Sequence, residues 1–174
     1  MLLLQNMKLL KGVLFVSLVV SLLFSTKVFA ADTGQVAATV TIQNISLTVS
    51  DGIIAYGILA VSTTKSTIAL ADTQTITNNG NVNQKLSVRG TDSAAWSLES
   101  SIGTDQYVHK FCAATCSTPP TNYTPLTDVS YTTLAASVAP AGQQTLDLEI
   151  STPSTSTVFT AQSVNVSVQA SLPG

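Results

Sequence analysis

The stretch from residue 72 to residue 98 constrains the fold of this chain more than any other part of it. Two runs of alternating residues flank Asn79-Gly80, the dipeptide that most readily adopts the two positive φ angles of a type I′ hairpin turn. In the second run, one set of side chains points inward and is largely apolar (Val82, Gln84, Leu86, Val88), and the other carries two charges (Asn83, Lys85, Ser87, Arg89). This period of two residues predicts a hairpin whose second strand has one buried face. Trp96, the only tryptophan, follows in the same phase, and we predict that it lies at the centre of the core.

The same alternation recurs along most of the chain. From Gln35 to Ile42 every second residue is apolar, and after Asn44 the phase shifts by one residue, which predicts a bulge or a crossing between sheets. Further strands are expected near residues 54–58, 106–111, 129–134, 145–150 and 164–170. No helical period follows residue 30, and no repeat is present. The pattern predicts an all-β sandwich of about eight or nine strands in one domain, residues 31–174.

Residues 1–30 have the features of a secretory signal peptide. Two lysines precede the apolar run Gly12–Phe24, and Val28-Phe29-Ala30 places small residues where a signal peptidase cleaves. The apolar run is shorter than the roughly 20 residues of a membrane span, so cleavage before Ala31 is favoured over an uncleaved anchor. We therefore expect a secreted protein at the cell surface, without a membrane segment after cleavage.

Charge limits the kinds of partner that the exported chain can bind. All nine acidic residues but only four of the seven basic residues lie beyond residue 30, and charged residues make up 9% of the chain. An acidic excess argues against nucleic acid and against anionic membranes, which both require a basic surface. A surface dominated by serine and threonine is typical of extracellular β-domains and of proteins that assemble side by side.

Cys112 and Cys116 are the only cysteines. In an exported protein, two cysteines in one loop most often form a disulfide, and we predict this bond. The alternative is a zinc site, since His109 precedes them in an H-x2-C-x3-C pattern. That pattern lacks a fourth ligand, so the disulfide is favoured and no metal or cofactor is expected.

No group of residues has the arrangement of a catalytic site. His109, the only histidine, has no Gly-x-Ser-x-Gly motif and no clearly placed acid to accompany it, and we expect a half-exposed strand residue. Asp147 and Glu149 lie two residues apart on one strand face, as a glycosidase pair could. We interpret that face as the solvent face and the two acids as charges that discourage edge pairing. The chain is therefore not expected to be an enzyme.

Several weaker patterns keep other sites open. Four aspartates lie at turns, where calcium can bind, but none has an EF-hand spacing, and turn formation explains each one: Asp51, Asp72, Asp92 and Asp105. Three sequons occur, at Asn44, Asn122 and Asn165. An isopeptide bond would need a lysine buried beside an acid, from among Lys65, Lys85 and Lys110.

Two stretches, Thr77–Val88 (TNNGNVNQKLSV) and Val138–Ile150 (VAPAGQQTLDLEI), resemble the strand–turn–strand units of immunoglobulin-like domains in bacterial and archaeal surface proteins. The resemblance implies an immunoglobulin-like sandwich with a structural or adhesive role and no catalytic residues. The segment Gln35–Ile42 could act as a strand donated to a neighbouring copy in a filament. The alternative function is a carbohydrate-binding or adhesin module that uses tyrosines as stacking platforms, namely Tyr56, Tyr107, Tyr123 and Tyr131. The expected partner is thus a second copy, a surface protein or a glycan.

Overall fold

The structure, a computed structural model, describes residues 33–116 and 122–174. Of these, residues 41–116 and 122–174 belong to one compact unit, and residues 33–40 belong to another. The predicted signal peptide lies outside the described residues. The strands are β1 (Leu47–Val49), β2 (Thr64–Ser66), β3 (Gln74–Asn78), β4 (Gln84–Gly90), β5 (Ser97–Leu98), β6 (Gln106–Cys112), β7 (Thr124–Pro125), β8 (Thr132–Val138), β9 (Gln143–Ser151) and β10 (Val166–Ser171), with one helical turn, α1 (Thr67–Leu70).

Two sheets pack face to face, which confirms the predicted all-β sandwich. The larger sheet has the order β1-β3-β9-β6-β5, with β2 beside β9 and β7 beside β6, and the smaller sheet has the order β10-β4-β8. Neighbouring strands are antiparallel except β5 and β6. The described residues contain ten strands, slightly more than the predicted number, because several short edge strands carry no alternation of their own.

The core lies between the two sheets and consists of the alternating residues that face inward. From the larger sheet it takes Ile76, Tyr107, Phe111, Leu146, Leu148 and Ile150, and from the smaller sheet Leu86, Val88, Leu134 and Val138. Leu86 and Val88 are fully buried, as the pattern in β4 predicts. Burial of such side chains is the main stabilising term in a sandwich without sustained helices.

The predicted core centre is wrong. Trp96 is only half-buried, and its indole Nε1 donates to Ser156 Oγ at 3.0 Å. Tyr107 is the largest fully buried side chain of the described residues, and its hydroxyl donates to the carbonyl of Thr91. A tryptophan has to place its polar N–H near a partner, which favours the margin of this core over its middle.

The predicted hairpin at Asn79-Gly80 is also wrong, because β3 and β4 belong to different sheets. β3 pairs with β1 and β9, whereas β4 pairs with β10 and β8. Neither Asn79 nor Gly80 has a positive φ angle. The connection crosses the sandwich, and the buried Asn78 holds it: its amide nitrogen donates to the carbonyls of Val82 and Val138, at 2.9 and 2.8 Å.

Gly80 is required in this connection for space and not for its backbone angle. A Cβ at this position would collide with the carbonyl oxygen of Asn44 and with the side chain of Gln84. The backbone at Asn44 therefore passes directly over the connection between β3 and β4. A glycine can mark a close approach of two backbones as well as a turn, and the sequence alone does not separate the two roles.

Candidate functional site

A cleft of about 950 Å³ opens between the two sheets beside strand β10. Its floor is the inner face of β9, with Leu146, Leu148, Ile150 and, just past the strand, Thr152. Val166 and Val168 of β10 line its other side. This volume is at the upper end of the range for ligand pockets, and the lining is mainly apolar.

The cleft exists because the smaller sheet does not cover the larger one. The smaller sheet has three strands among the described residues, and β10 pairs with β4 alone, so one edge of β10 has no neighbour. The inward side chains that remain half-buried are mostly those that line the cleft: Leu47, Val49, Ile54, Tyr56, Leu59, Trp96, Val164, Val166 and Val168. The apolar core is therefore open to solvent along this side.

Two segments that border the cleft have strand-like sequences but no strand. Residues 53–61 (IIAYGILAV) contain the predicted third strand, and residues 158–165 (VFTAQSVN) precede β10. Within the described part of the chain, the backbone N–H groups of residues 54–61 and 159–164 have no hydrogen-bond partner. We call these two segments the rims. A strand forms only where a neighbour supplies hydrogen bonds, and none is present beside the rims.

The segment Gln35–Ile42 is not a strand in the structure, in contrast to the sequence-based expectation. Its residues are exposed, with Val36 at 95%, Val40 at 91% and Ile42 at 85% of their maximal exposure. Just after it, Asn81 fixes the backbone: its Nδ2 donates to the carbonyl of Ile42, and its Oδ1 accepts from the N–H of Asn44. This anchor lies where the alternation changes phase.

His109 is buried in the inner face of the larger sheet, with 2% exposure, so the expectation of a half-exposed residue is wrong. Its Nε2 and the hydroxyl of Tyr56 share a hydrogen bond of 3.1 Å, which connects the first rim to the core. Burial lowers the pKa of His109 to about 4, because a charged imidazole would lose its hydration. Burial also raises the pKa of the Tyr56 hydroxyl. The pair is therefore neutral near pH 7.

Cys112 and Cys116 form the predicted disulfide, with a Cα–Cα distance of 5.9 Å. This bond takes both thiols away from the alternative zinc site, and the His109 imidazole is engaged with Tyr56 instead. In the described ranges no three histidine, cysteine, aspartate or glutamate side chains come together as metal ligands.

Asp147 and Glu149 are buried, which overturns their interpretation as solvent-facing charges. Asp147 Oδ1 accepts hydrogen bonds from the hydroxyls of Thr67 and Thr73, at 2.8 and 2.6 Å. Glu149 forms an ion pair of 3.2 Å with Lys110. Strand β9 is paired on both sides, so these acids protect no edge. They attach α1 and the neighbouring strand to the outer face of the sheet.

The four turn aspartates form no metal-ligand cluster among the described residues. Their carboxylates accept hydrogen bonds from nearby groups, respectively the Ile53 N–H for Asp51, the Gln74 amide for Asp72, the Leu98 N–H for Asp92, and Ser156 and Thr157 for Asp105. The bonds from Thr157 and Ser156 lower the pKa of Asp105. Asp51 bonds to the N–H two residues on, as turn chemistry predicts, whereas Asp105 connects its loop to a distant segment at residues 156–157.

The four tyrosines do not form a row of exposed rings. Tyr107 is fully buried, Tyr56 and Tyr123 are half-buried, and Tyr131 is the exposed one, with the guanidinium carbon of Arg89 5.0 Å from its ring centre.

In the residues that the structure describes, no helix is long and apolar enough to cross a membrane.

Comparison with known proteins identifies no relative: no family model, no curated protein and no solved structure matches this chain. The site therefore rests on its own geometry.

Sequence reasoning does not find the cleft. The alternation in Gln35–Ile42 predicts a strand that could be donated to a neighbouring copy, and the single chain has no strand there. The cleft leaves no such mark, because its floor and its rims come from distant parts of the chain. The one local signal is the run of apolar residues at 53–61, which is longer than a half-buried strand requires.

Proposed function

We propose that this chain is a secreted structural protein of the cell surface whose copies join into a filament by strand addition. The observation that carries the proposal is an exposed segment with strand alternation, Gln35–Ile42, in a chain whose sandwich has an open apolar side. Large apolar side chains left in water on one alternating face are typical of an interaction surface.

Strand addition would bury the apolar face of Gln35–Ile42 and cover the open apolar side of the sandwich. An extended segment gains backbone hydrogen bonds along a strand edge, while its alternate side chains fill an apolar pocket. Each valine or isoleucine that becomes buried contributes about 1.5–3 kcal/mol, so the exposed residues of this segment could together stabilise an assembly.

The remaining features support a location outside the cell. The chain carries a predicted signal peptide, a disulfide between Cys112 and Cys116, and few charges. Disulfides persist in oxidising compartments, which agrees with export. A low charge density limits the repulsion between neighbouring copies.

The test is the size of the protein from Ala31 onward, measured by light scattering after gel filtration, with negative-stain microscopy of the same sample. We expect fibres or large oligomers, and a monomer after deletion of residues 35–42. If the protein from Ala31 onward is a monomer at every concentration, the proposal is overturned. Surface proteins and glycans would then become the partners to examine.

A further inference from the structure

We infer that the cleft beside β10 is the seat for the Gln35–Ile42 segment of a second copy, which adds to the free edge of β10 as a fourth strand of the smaller sheet. This inference rests on the proposed function and adds the place and the manner of docking. In this arrangement the apolar face of the segment packs on the floor of the cleft. The backbone of the segment forms hydrogen bonds with β10 and the rims.

The spacing of side chains on the segment matches the spacing on the floor. Val36, Ala38, Val40 and Ile42 lie two residues apart, and so do Leu146, Leu148, Ile150 and Thr152. Each set spans about 20 Å of strand, since a strand rises about 3.3 Å per residue. Four side chains of the segment can therefore lie over four side chains of the floor.

The two surfaces also agree in charge and polarity. The segment contains no charged residue, and among the described residues neither aspartate, glutamate, lysine nor arginine lines the cleft. The opposite face of the segment carries Thr39 and Thr41, and β10 presents Ser167 and Gln169 on its outer face. An added strand would extend a hydroxyl- and amide-bearing outer surface and close the apolar inner one.

The backbone of the cleft margin requires a partner. The free edge of β10 and the N–H groups of the two rims are unpaired within the described residues. A strand that lies between residues 53–61 and β10 can donate to and accept from both sides. Unpaired polar groups beside an apolar cleft are unfavourable, and a strand is the ligand that satisfies them in a row.

The backbone at the C-terminal end of the segment is fixed within its own chain. Asn81 holds the carbonyl of Ile42 and the N–H of Asn44, and the chain then passes straight into β1. No glycine or proline occurs between Gln35 and Asp51 to reverse the chain. A second copy can place its segment in the cleft while these hydrogen bonds of Asn81 stay intact.

The first test uses two matched variants of the full chain, Val40→Asp and Thr41→Asp. Both positions are exposed in the single chain, so neither change should disturb the sandwich. Val40→Asp would bury an unpaired carboxylate and should raise the concentration needed for assembly at least about tenfold, whereas Thr41→Asp should assemble like the unmodified chain. Equal effects of the two variants would contradict the assigned face.

The second test locates the seat by cross-linking with a short bismaleimide, which leaves the disulfide intact. Copies with Val40→Cys are mixed with copies that carry either Val168→Cys in β10 or Ala136→Cys in β8, the other outer strand of the smaller sheet. We expect cross-links between copies to residue 168 and none to residue 136.

Three results would overturn the inference. Assembly with cross-links to residue 136 would leave the proposed function intact and refute the seat. A Val40→Cys/Val168→Cys double variant that cross-links within a single dilute chain would show that the segment fills its own cleft. No assembly of the unmodified chain, together with no cross-link, would refute the proposed function itself.

Discussion

At the residue scale, His109 is the clearest case of a group whose surroundings set its chemistry. Its ring packs against Tyr56 and Tyr107, with ring centres 6.0 and 6.2 Å away. Its Nδ1 has no hydrogen-bond partner among the described residues. The imidazole is therefore held neutral inside the sandwich, and its protonation lowers the stability of the folded protein.

We predict that His109 makes the protein less stable in mild acid. Between pH 6.5 and about pH 4 the unfolded chain binds a proton at this imidazole and the folded protein does not. The unfolded state thus binds more protons, so the free energy of unfolding falls as the pH drops, by about 3 kcal/mol in total. Urea denaturation at pH 7, 5.5 and 4.5 measures this decrease.

His109→Gln is the control for that measurement, because the amide can still bond to Tyr56 but does not titrate. Carboxylates contribute to the pH dependence of both proteins, so the difference between the two curves isolates the histidine. The same decrease in both proteins would contradict the prediction.

Asp147 shows how a charged residue can be structural in a chain with few charges. It accepts from Thr67 and Thr73, and the Thr67 hydroxyl also accepts from the N–H of Leu148 at 3.0 Å. This network connects α1 to the middle of the sheet.

We predict that Asp147→Ala lowers the free energy of unfolding by about 2–4 kcal/mol, because two hydroxyls lose a charged acceptor beneath the surface. The matched control is Asp128→Ala, at an exposed position, which should change stability by less than about 0.5 kcal/mol. Urea denaturation of both variants at pH 7 provides the comparison, and equal values would refute the structural role.

At the scale of elements, the rims differ from the strands that they extend. Residues 53–61 follow β1, and residues 158–165 precede β10, yet neither rim has backbone pairing of its own. Their sequences favour strands, and a strand is stable only when a neighbour lies beside it. The rims are therefore strand-like segments that lack a pairing partner within the described part of the chain.

Hydrogen exchange followed by mass spectrometry tests this view. In dilute protein we expect the amides of residues 54–61 and 159–164 to exchange rapidly and those of β9 slowly. In the assembled form the rims should gain protection, while β9 should change little. Rims that are already protected in the dilute protein would contradict the prediction.

At the scale of the molecule, the sandwich is closed on one side and open on the other. The core between β4, β8, β9 and β6 is buried, whereas the side beside β10 exposes a cleft. Both sides belong to the compact unit that begins at residue 41. On the open side, the smaller sheet ends at β10, whose outer edge has no neighbouring strand among the described residues.

We predict that assembly raises thermal stability and that the segment acts only through assembly. The melting temperature of the protein from Ala31 onward should rise with protein concentration, because a partner that binds the folded state stabilises it. The chain without residues 35–42 should melt at one temperature at every concentration, equal to that of the dilute complete chain. Calorimetry over a range of concentrations measures both, and a large loss of stability in the dilute deletion variant would contradict the prediction.

The sequence by itself determined the strands whose alternation is long and regular. β4, β6, β9 and β10 lie where a period of two residues predicts them, and the disulfide joins the two predicted cysteines. The reason is physical: alternation reports directly which face of a strand meets the core. The immunoglobulin-like resemblance and the secreted location stay predictions.

Only the tertiary structure decided which strands pair and what covers each face. The crossing between β3 and β4, the burial of His109 and of Asp147, and the cleft beside β10 all depend on contacts between residues far apart in the chain. A local pattern has the same form whether a strand pairs with its neighbour in sequence or crosses to the other sheet. The pairing is chosen by the total burial and hydrogen bonding of the whole sandwich, which no single stretch contains.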